Sequence, residues 1–106
     1  MDQGEVLLFS HFENGGKMWS GEGQRTIRKD VKFSERFIAQ PAVHVSLCMF
    51  DLDSKSNPRA EVLASRITND SFDVVFRTWG DTRVARVRVA WLAIGPVAHQ
   101  DDWDLY

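Results

Sequence analysis

Apolar and polar residues alternate along this chain with a period of two, in short runs separated by Gly, Asn, Asp, Ser or Pro. Successive side chains of a β-strand point to opposite faces, so each run predicts a strand with one face on a core. The runs are 5–12, 26–33, 42–52, 59–68, 71–80 and 84–95. No useful stretch has the period of a helix, and the pattern therefore predicts an all-β sandwich of six strands.

Two of these runs have a clear apolar face. In 71–80 that face consists of Phe72, Val74 and Phe76. The opposite face is mixed and carries Asp73, Val75, Arg77 and Trp79. In 84–95 the apolar face comprises Ala85, Val87, Val89, Trp91 and Ala93. We expect both faces to lie in the core.

The run 42–52 is apolar enough on both faces to predict a central strand or a strand at an interface. One face consists of Val43, Val45, Leu47 and Met49, and the other of His44, Ser46, Cys48 and Phe50. Cys48, in its middle, is interpreted as a small buried hydrophobic residue. Arg86 and Arg88 form a polar stripe on the last strand. That stripe is either solvated or, in an oligomer, lines a subunit seam and pairs with acids such as Glu61.

Length and composition indicate one folded domain. The chain has 106 residues, of which 43% are hydrophobic and 26% charged, which suits a packed core. We predict a β-sandwich over 1–95. Residues 96–106 interleave aspartates with Trp103, Leu105 and Tyr106 outside the sandwich pattern. This acidic and aromatic tail is either flexible or docked on a neighbour.

The charge argues against two classes of partner. A formal net charge of -2 gives no broad basic surface for nucleic acid or an anionic membrane. No apolar run is long enough to span a bilayer, and the first twelve residues lack the features of a signal peptide. The cellular location stays open: cytoplasmic, exported by a non-classical route, or part of a virion-like particle.

The sequence offers no catalytic or metal-binding motif. No nucleophile signature is present, and a lone cysteine excludes an intramolecular disulfide and a thiolate-rich metal site. The three histidines lack the spacing of a metal-binding pair. Asp51, Asp53 and Asp70 fail the EF-hand pattern and are interpreted as solvated turn carboxylates. We therefore expect no enzyme, no metal and no cofactor.

Trp79 is the candidate binding residue that the pattern itself provides. It ends a strand on the face opposite Phe76 and precedes a Gly-Asp turn, so its ring is expected at the rim of the sandwich. An exposed indole can stack on the C–H face of a sugar, while carboxylates and guanidinium groups bind hydroxyls. The alternative is a Trp that only caps the core.

A longer series of residues resembles the H-type lectin domain of snail agglutinins and slime-mould discoidins. Its elements, in order, are Gln40-Pro41-Ala42-Val43, an aspartate-containing loop with Asn57-x-Arg59, Ile67-Thr68, Phe72, Thr78-Trp79-x-x-Thr82 and Val89-x-Trp91-x-Ala93-Ile94. Phe33, Phe37 and, more weakly, Gly4-x-Val6 extend the likeness over most of the chain. The resemblance implies a six-stranded antiparallel β-sandwich.

The resemblance also implies a function. It implies a homotrimer, or a dimer of trimers, with shallow metal-independent sites between protomers for N-acetylgalactosamine or galactose-type sugars on glycans. Arg59 and Trp79 match the family's sugar-binding Arg and Trp, and Glu22 aligns with its loop acid. Gly80 stands where the agglutinins have His, so one sugar contact is missing, and Asp81 could reach the ligand instead.

Two functions follow as hypotheses. The first is a lectin that gains avidity from several weak sites on a glycosylated surface. The second is a trimeric structural or attachment module of a phage-like fibre, spike or adaptor, with altered or lost sugar binding. In that case the tail would dock into a partner through its aromatic residues.

Overall fold

Six antiparallel strands form the described part of the chain, which in this computed structural model comprises residues 1–10, 18, 23–55 and 57–97. Their bounds are β1 Asp2–Ser10, β2 Arg25–Lys32, β3 Ala42–Leu52, β4 Glu61–Ser65, β5 Ser71–Thr78 and β6 Val84–Ile94. They make two three-stranded sheets, in the orders β1-β6-β3 and β2-β5-β4. The predicted fold class, a six-stranded antiparallel β-sandwich, is confirmed.

The core lies between the inner faces of the two central strands, β5 and β6. Phe72, Val74 and Phe76 of β5 are completely buried. Val87, Val89 and Trp91 supply the facing layer of β6. Aromatic rings join the two layers: the Phe72 ring lies 5.4 Å from that of Trp91 and 5.6 Å from that of Phe33. Both apolar faces predicted from alternation are therefore core faces.

A β-bulge changes the prediction for β3. The register passes from Leu47 opposite Val89 to Met49 opposite Arg88, so Cys48 is an extra residue. The bulge reverses the alternation, and Phe50 rather than Met49 faces inward, with its ring 6.1 Å from that of Phe76. Cys48 is exposed, so its interpretation as a buried hydrophobic residue is wrong.

The position of β3 in its sheet differs from the expectation of a central strand. It is an edge strand, because β6 occupies the centre of the sheet, and its outward residues His44, Ser46 and Cys48 are exposed. A central strand is therefore ruled out within the chain. The interface alternative stays a prediction.

Local structure at one end of the sandwich shortens β4 and fixes the residues that follow β6. The run 59–68 forms a strand only over Glu61–Ser65, because Arg66 adopts a positive φ of 50° and ends β4. At the same end of the sandwich, the Phe37 N–H donates to the Asn69 carbonyl over 2.9 Å. Phe37 also pairs with Val97 in an isolated bridge, and the Ile38 N–H donates to the Pro96 carbonyl over 2.9 Å. The predicted tail boundary stays a prediction, since 98–106 lie outside the described residues.

Candidate functional site

The turn between β5 and β6 is held by two threonines. Thr78 and Thr82 flank Trp79-Gly80-Asp81, and both are completely buried. The Thr78 hydroxyl donates to the Arg59 carbonyl over 2.6 Å, and the Thr82 hydroxyl donates to the Asn57 carbonyl. Buried hydroxyls need such partners. The two bonds fix the segment before β4 against the turn.

The side chain of Arg59 returns to the same turn. Its Nη1 donates to the Asp81 carboxylate and, over 3.3 Å, to Thr82 Oγ1. The Arg59 side chain is 32% exposed and that of Asp81 62%, so both groups retain hydrogen-bonding capacity toward solvent. The predicted residues Arg59, Gly80 and Asp81 are thus brought together.

The Arg59 guanidinium affects the titration of Asp81. Its hydrogen bond holds the pKa of that carboxyl below the ordinary value. Because this pKa is lowered, the Arg59–Asp81 pair contributes fully to folding stability above the ordinary carboxyl pKa range. That contribution is lost only as the pH falls through the lowered pKa. Asp81 is therefore ionised throughout the neutral and mildly acidic range.

Gly80 has a conformation and a neighbour that exclude most side chains. Its φ is +71°, in the left-handed region, and a Cβ on it would lie 2.9 Å from Arg59 Nη1. Its carbonyl accepts from the Gly23 N–H over 3.0 Å and from Arg25 Nη2 over 3.2 Å. The glycine therefore allows Arg59 to lie directly against the turn.

Arg25 is a buried residue that the sequence reasoning missed. Beyond its bond to Gly80, its Nε donates to the Gly23 carbonyl over 2.9 Å and its Nη1 to the Met18 carbonyl over 3.3 Å. It is only 6% exposed and lies opposite Thr78 in the register. One guanidinium thus ties the segment before β2 to the turn after β5. The sequence signal that could have identified Arg25 is a charged residue at a core-facing position of a predicted strand.

Trp79 lies on the outer face of the β2-β5-β4 sheet, at the end of β5. Its side chain is 42% exposed, in agreement with a rim position rather than a cap on the core. It borders a shallow depression of about 150 Å³ with Gln24, Glu61 and Arg77. Arg77 Nη2 donates to the Glu61 carboxylate over 2.7 Å, so Glu61 pairs within its own chain and on its own sheet.

A second depression adjoins the turn on the side of Asp81. It has a volume of about 340 Å³ and is lined by Asp53, Lys55, Asp81 and Arg83. The Asp53 N–H donates to the Arg83 carbonyl over 2.9 Å, which joins the end of β3 to the start of β6. Trp79 and Asp81, two residues apart, therefore border two different depressions.

The remaining predictions concern Glu22, a metal site and a membrane-spanning helix. Glu22, the predicted loop acid, lies outside the described residues. Within the ranges that the structure describes, no three His, Cys, Asp or Glu side chains are grouped so that they could hold a metal ion. In those same ranges, no helix has the length and apolar character required to cross a membrane.

Sequence comparison supplies a family match and several relatives. The model of the H-type lectin domain matches residues 28–94. The chain is 52% identical over 103 residues to "ATP synthase subunits region ORF 7" of Fuscovulum blasticum, covering 97% of this chain and 90% of that protein. It is 33% identical over 76 residues to Discoidin-2 of Dictyostelium discoideum, covering 71% of this chain and 30% of the relative.

Structural comparison agrees with the family match. The native structure of recombinant discoidin II of Dictyostelium discoideum superposes with a TM-score of 0.78 and 29% sequence identity, over 89% of this chain and 36% of that one. A structure of wild-type discoidin II gives a TM-score of 0.75 and 30% identity, over 86% of this chain and 34% of that one. This chain therefore spans about a third of the length of the discoidins and most of the length of the Fuscovulum relative.

Proposed function

Because the chain belongs to the H-type lectin domain family, we propose that it is a lectin that binds N-acetylgalactosamine or a related sugar without a metal ion and without catalysis. The binding residues are Arg59, Trp79, Gly80 and Asp81, with Glu22 completing the site. The natural ligand is a glycan that ends in such a sugar.

The observation that carries this proposal is the pairing of Arg59 with Asp81 in a turn that begins with the exposed Trp79. Charged donors and acceptors bind sugar hydroxyls more strongly than neutral ones, and the indole offers an apolar face to the C–H groups of a sugar ring. Thr78 and Thr82 hold these groups on strand ends, so little ordering is required on binding. Asp81 supplies the acceptor that replaces the missing histidine.

Replacing Trp79 by alanine is expected to weaken sugar binding about two- to tenfold, the range that aromatic contacts of this kind contribute. The measurement is a glycan panel, followed by titration calorimetry with N-acetylgalactosamine. The matched control is Ile38→Ala, because Ile38 is 64% exposed and lies beside Pro96, away from the β5–β6 turn. Equal losses in the two variants, or no glycan bound by the folded wild-type protein, would contradict the proposal.

The assembly that we propose is a homotrimer with sites between protomers, and two trimers could associate further. The outer face of the β1-β6-β3 sheet supports it. Leu7 is 43% exposed and Ile94 56% exposed, while Ala90 and Leu92 are partly exposed between them. Shallow depressions lie on either side of Ala90, toward Glu5 and toward Ser46. These apolar residues share the face with polar ones such as Glu5, Ser46 and Arg88. A mixed sheet face of this kind, on a small sandwich, is a natural contact surface between copies.

Placing a carboxylate at the centre of this face is expected to dissociate the trimer. Ala90→Glu would bury three unpaired charges around the axis, whereas Leu63→Glu puts the same charge on the outer face of the other sheet and is expected to leave the assembly intact. Light scattering after size-exclusion chromatography measures the mass. A monomeric wild-type protein, or an Ala90→Glu trimer of unchanged mass, would exclude this face as the seam.

One observation favours the second candidate function, a trimeric structural or attachment module of a phage-like particle. Arg59 Nη1 already donates to Asp81 and Thr82 within the chain, so part of the hydrogen-bonding capacity of this guanidinium serves the fold rather than a sugar. The two functions are separated by the glycan panel. A folded trimer that binds none of the glycans would favour the attachment module.

A further inference from the structure

We propose that the depression beside Trp79 is a second sugar subsite, and that the protein therefore binds an oligosaccharide rather than a single sugar. This inference rests on the proposed lectin function. The first sugar lies at Arg59 and Asp81 and shares the Trp79 indole with the second sugar. The next neutral sugar of the same glycan lies against Trp79, Arg77 and Glu61, with Gln24 at the edge.

The strand register builds this second subsite. Arg77 and Trp79 are two residues apart, so both project from the outer face of the β2-β5-β4 sheet. Glu61 lies directly opposite Arg77 on β4, and the two side chains form an ion pair of 2.7 Å. An indole thus stands at the strand end next to a fixed carboxylate and guanidinium.

The charged groups of the subsite remain available to a ligand. The side chain of Arg77 is 38% exposed and that of Glu61 46% exposed. A carboxylate has about four acceptor sites and a guanidinium five donors. Apart from the mutual hydrogen bond and the buried Arg77 Nε, the remaining acceptor sites and the remaining Nη donors can meet sugar hydroxyls. Gln24 adds a donor and an acceptor that carry no charge.

Charge and shape select the class of ligand. The Arg77–Glu61 pair has no net charge. The guanidinium attracts an acidic sugar and the carboxylate repels it, so the pair gives such a sugar no net electrostatic advantage. Among the exposed large hydrophobic residues of the described ranges, Trp79 is the one aromatic side chain, and its ring borders this depression. A neutral hexose or N-acetylhexosamine, with one apolar face and several hydroxyls, fits these groups.

The position of Trp79 makes the two subsites neighbours. Gly80 and Asp81 follow it directly in the chain, and Asp81 contacts Arg59. Trp79 therefore borders the second depression and also begins the turn that holds the Arg59–Asp81 pair. Adjacent residues of one glycan can occupy the two places together.

The test compares N-acetylgalactosamine with neutral disaccharides that end in it, by titration calorimetry. The wild-type protein is expected to bind at least one disaccharide about fivefold more tightly than the monosaccharide. Glu61→Gln, which keeps the shape of the side chain and removes its charge, is expected to abolish that gain and to change monosaccharide affinity less than twofold. The control is Asp70→Asn, the same chemical change in the Arg36–Asp70 pair, which precedes the other end of β5.

The outcomes separate the subsite from the function on which it rests. If the wild-type protein binds the monosaccharide and every disaccharide equally, the subsite is wrong and the lectin function stands. If Glu61→Gln and Asp70→Asn reduce disaccharide binding alike, or if acidic disaccharides bind more tightly than neutral ones, the subsite is also wrong. If no sugar binds to the folded wild-type protein, both proposals fail.

Discussion

Gly80→Ala is expected to weaken sugar binding about tenfold to a hundredfold, although it adds only one methyl group. The new Cβ would lie 2.9 Å from Arg59 Nη1 and 3.2 Å from its Cζ, so the guanidinium has to shift away from its present place against the turn. A sugar would then lose hydrogen bonds to a charged group, each of which contributes about 1.5–3 kcal/mol. Calorimetry with N-acetylgalactosamine measures the loss.

Gly23→Ala is the matched control for this prediction. Gly23 has nearly the same backbone conformation, with φ +77°, but a Cβ there meets no atom within 4 Å. Both variants therefore carry the strain of a left-handed alanine, about 1–2 kcal/mol of unfolding free energy. The displacement of Arg59 is confined to Gly80→Ala. Equal effects of the two variants on sugar affinity would refute the role assigned to Gly80.

The geometry at Gly80 also explains why a histidine does not fit this position as the chain stands. Gly80→His introduces the agglutinins' residue, yet it carries the same Cβ and the same positive φ. In this chain the Arg59 side chain lies against Gly80 and contacts Asp81, the next residue. In the proposed site, Gly80 and Asp81 therefore form one arrangement with Arg59, and a histidine at position 80 alone is expected to shift Arg59 out of it.

The sequence predicted the fold where alternation is regular. The inner faces of β5 and β6 read as strict period two, and their residues are buried as expected. The prediction failed at β3, because a bulge inserts one residue without leaving a mark in the hydrophobic pattern. Met49 and Phe50 are both apolar, so the alternation cannot show which of them faces the core.

The candidate site was predicted less completely, for a physical reason. Trp79 and Asp81 stand out locally, since they flank a turn glycine at a strand end. Arg59 was predicted as a site residue only through the family resemblance. Its contact with Asp81 joins residues 22 positions apart, which no local pattern can show. The buried threonines carry no sequence signal of their hydrogen-bond partners. Glu61 and Arg77 meet only through the pairing of β4 with β5.

Arg25→Met is expected to reduce both the stability of the domain and its affinity for sugar. Arg25 is buried, and its three guanidinium nitrogens donate to the carbonyls of Gly23, Met18 and Gly80. Methionine keeps the apolar stem but removes the three guanidinium donors, while the Gly80 carbonyl keeps its bond from the Gly23 N–H. We expect the unfolding free energy to fall by about 3 kcal/mol, a typical cost of losing hydrogen bonds to a buried charge. Chemical denaturation measures it.

The sugar affinity of this variant is expected to fall about tenfold to a hundredfold, because the turn that presents Arg59 and Asp81 loses its anchor. Arg36→Met is the control: its side chain is 71% exposed in a surface ion pair, and such pairs contribute at most about 1 kcal/mol. Arg25→Lys separates charge from geometry. A single ammonium group cannot reproduce the planar arrangement of donors, so we expect it to restore part of the stability and little of the binding. Full recovery of sugar affinity by lysine would show that Arg25 supplies charge alone and does not position the turn.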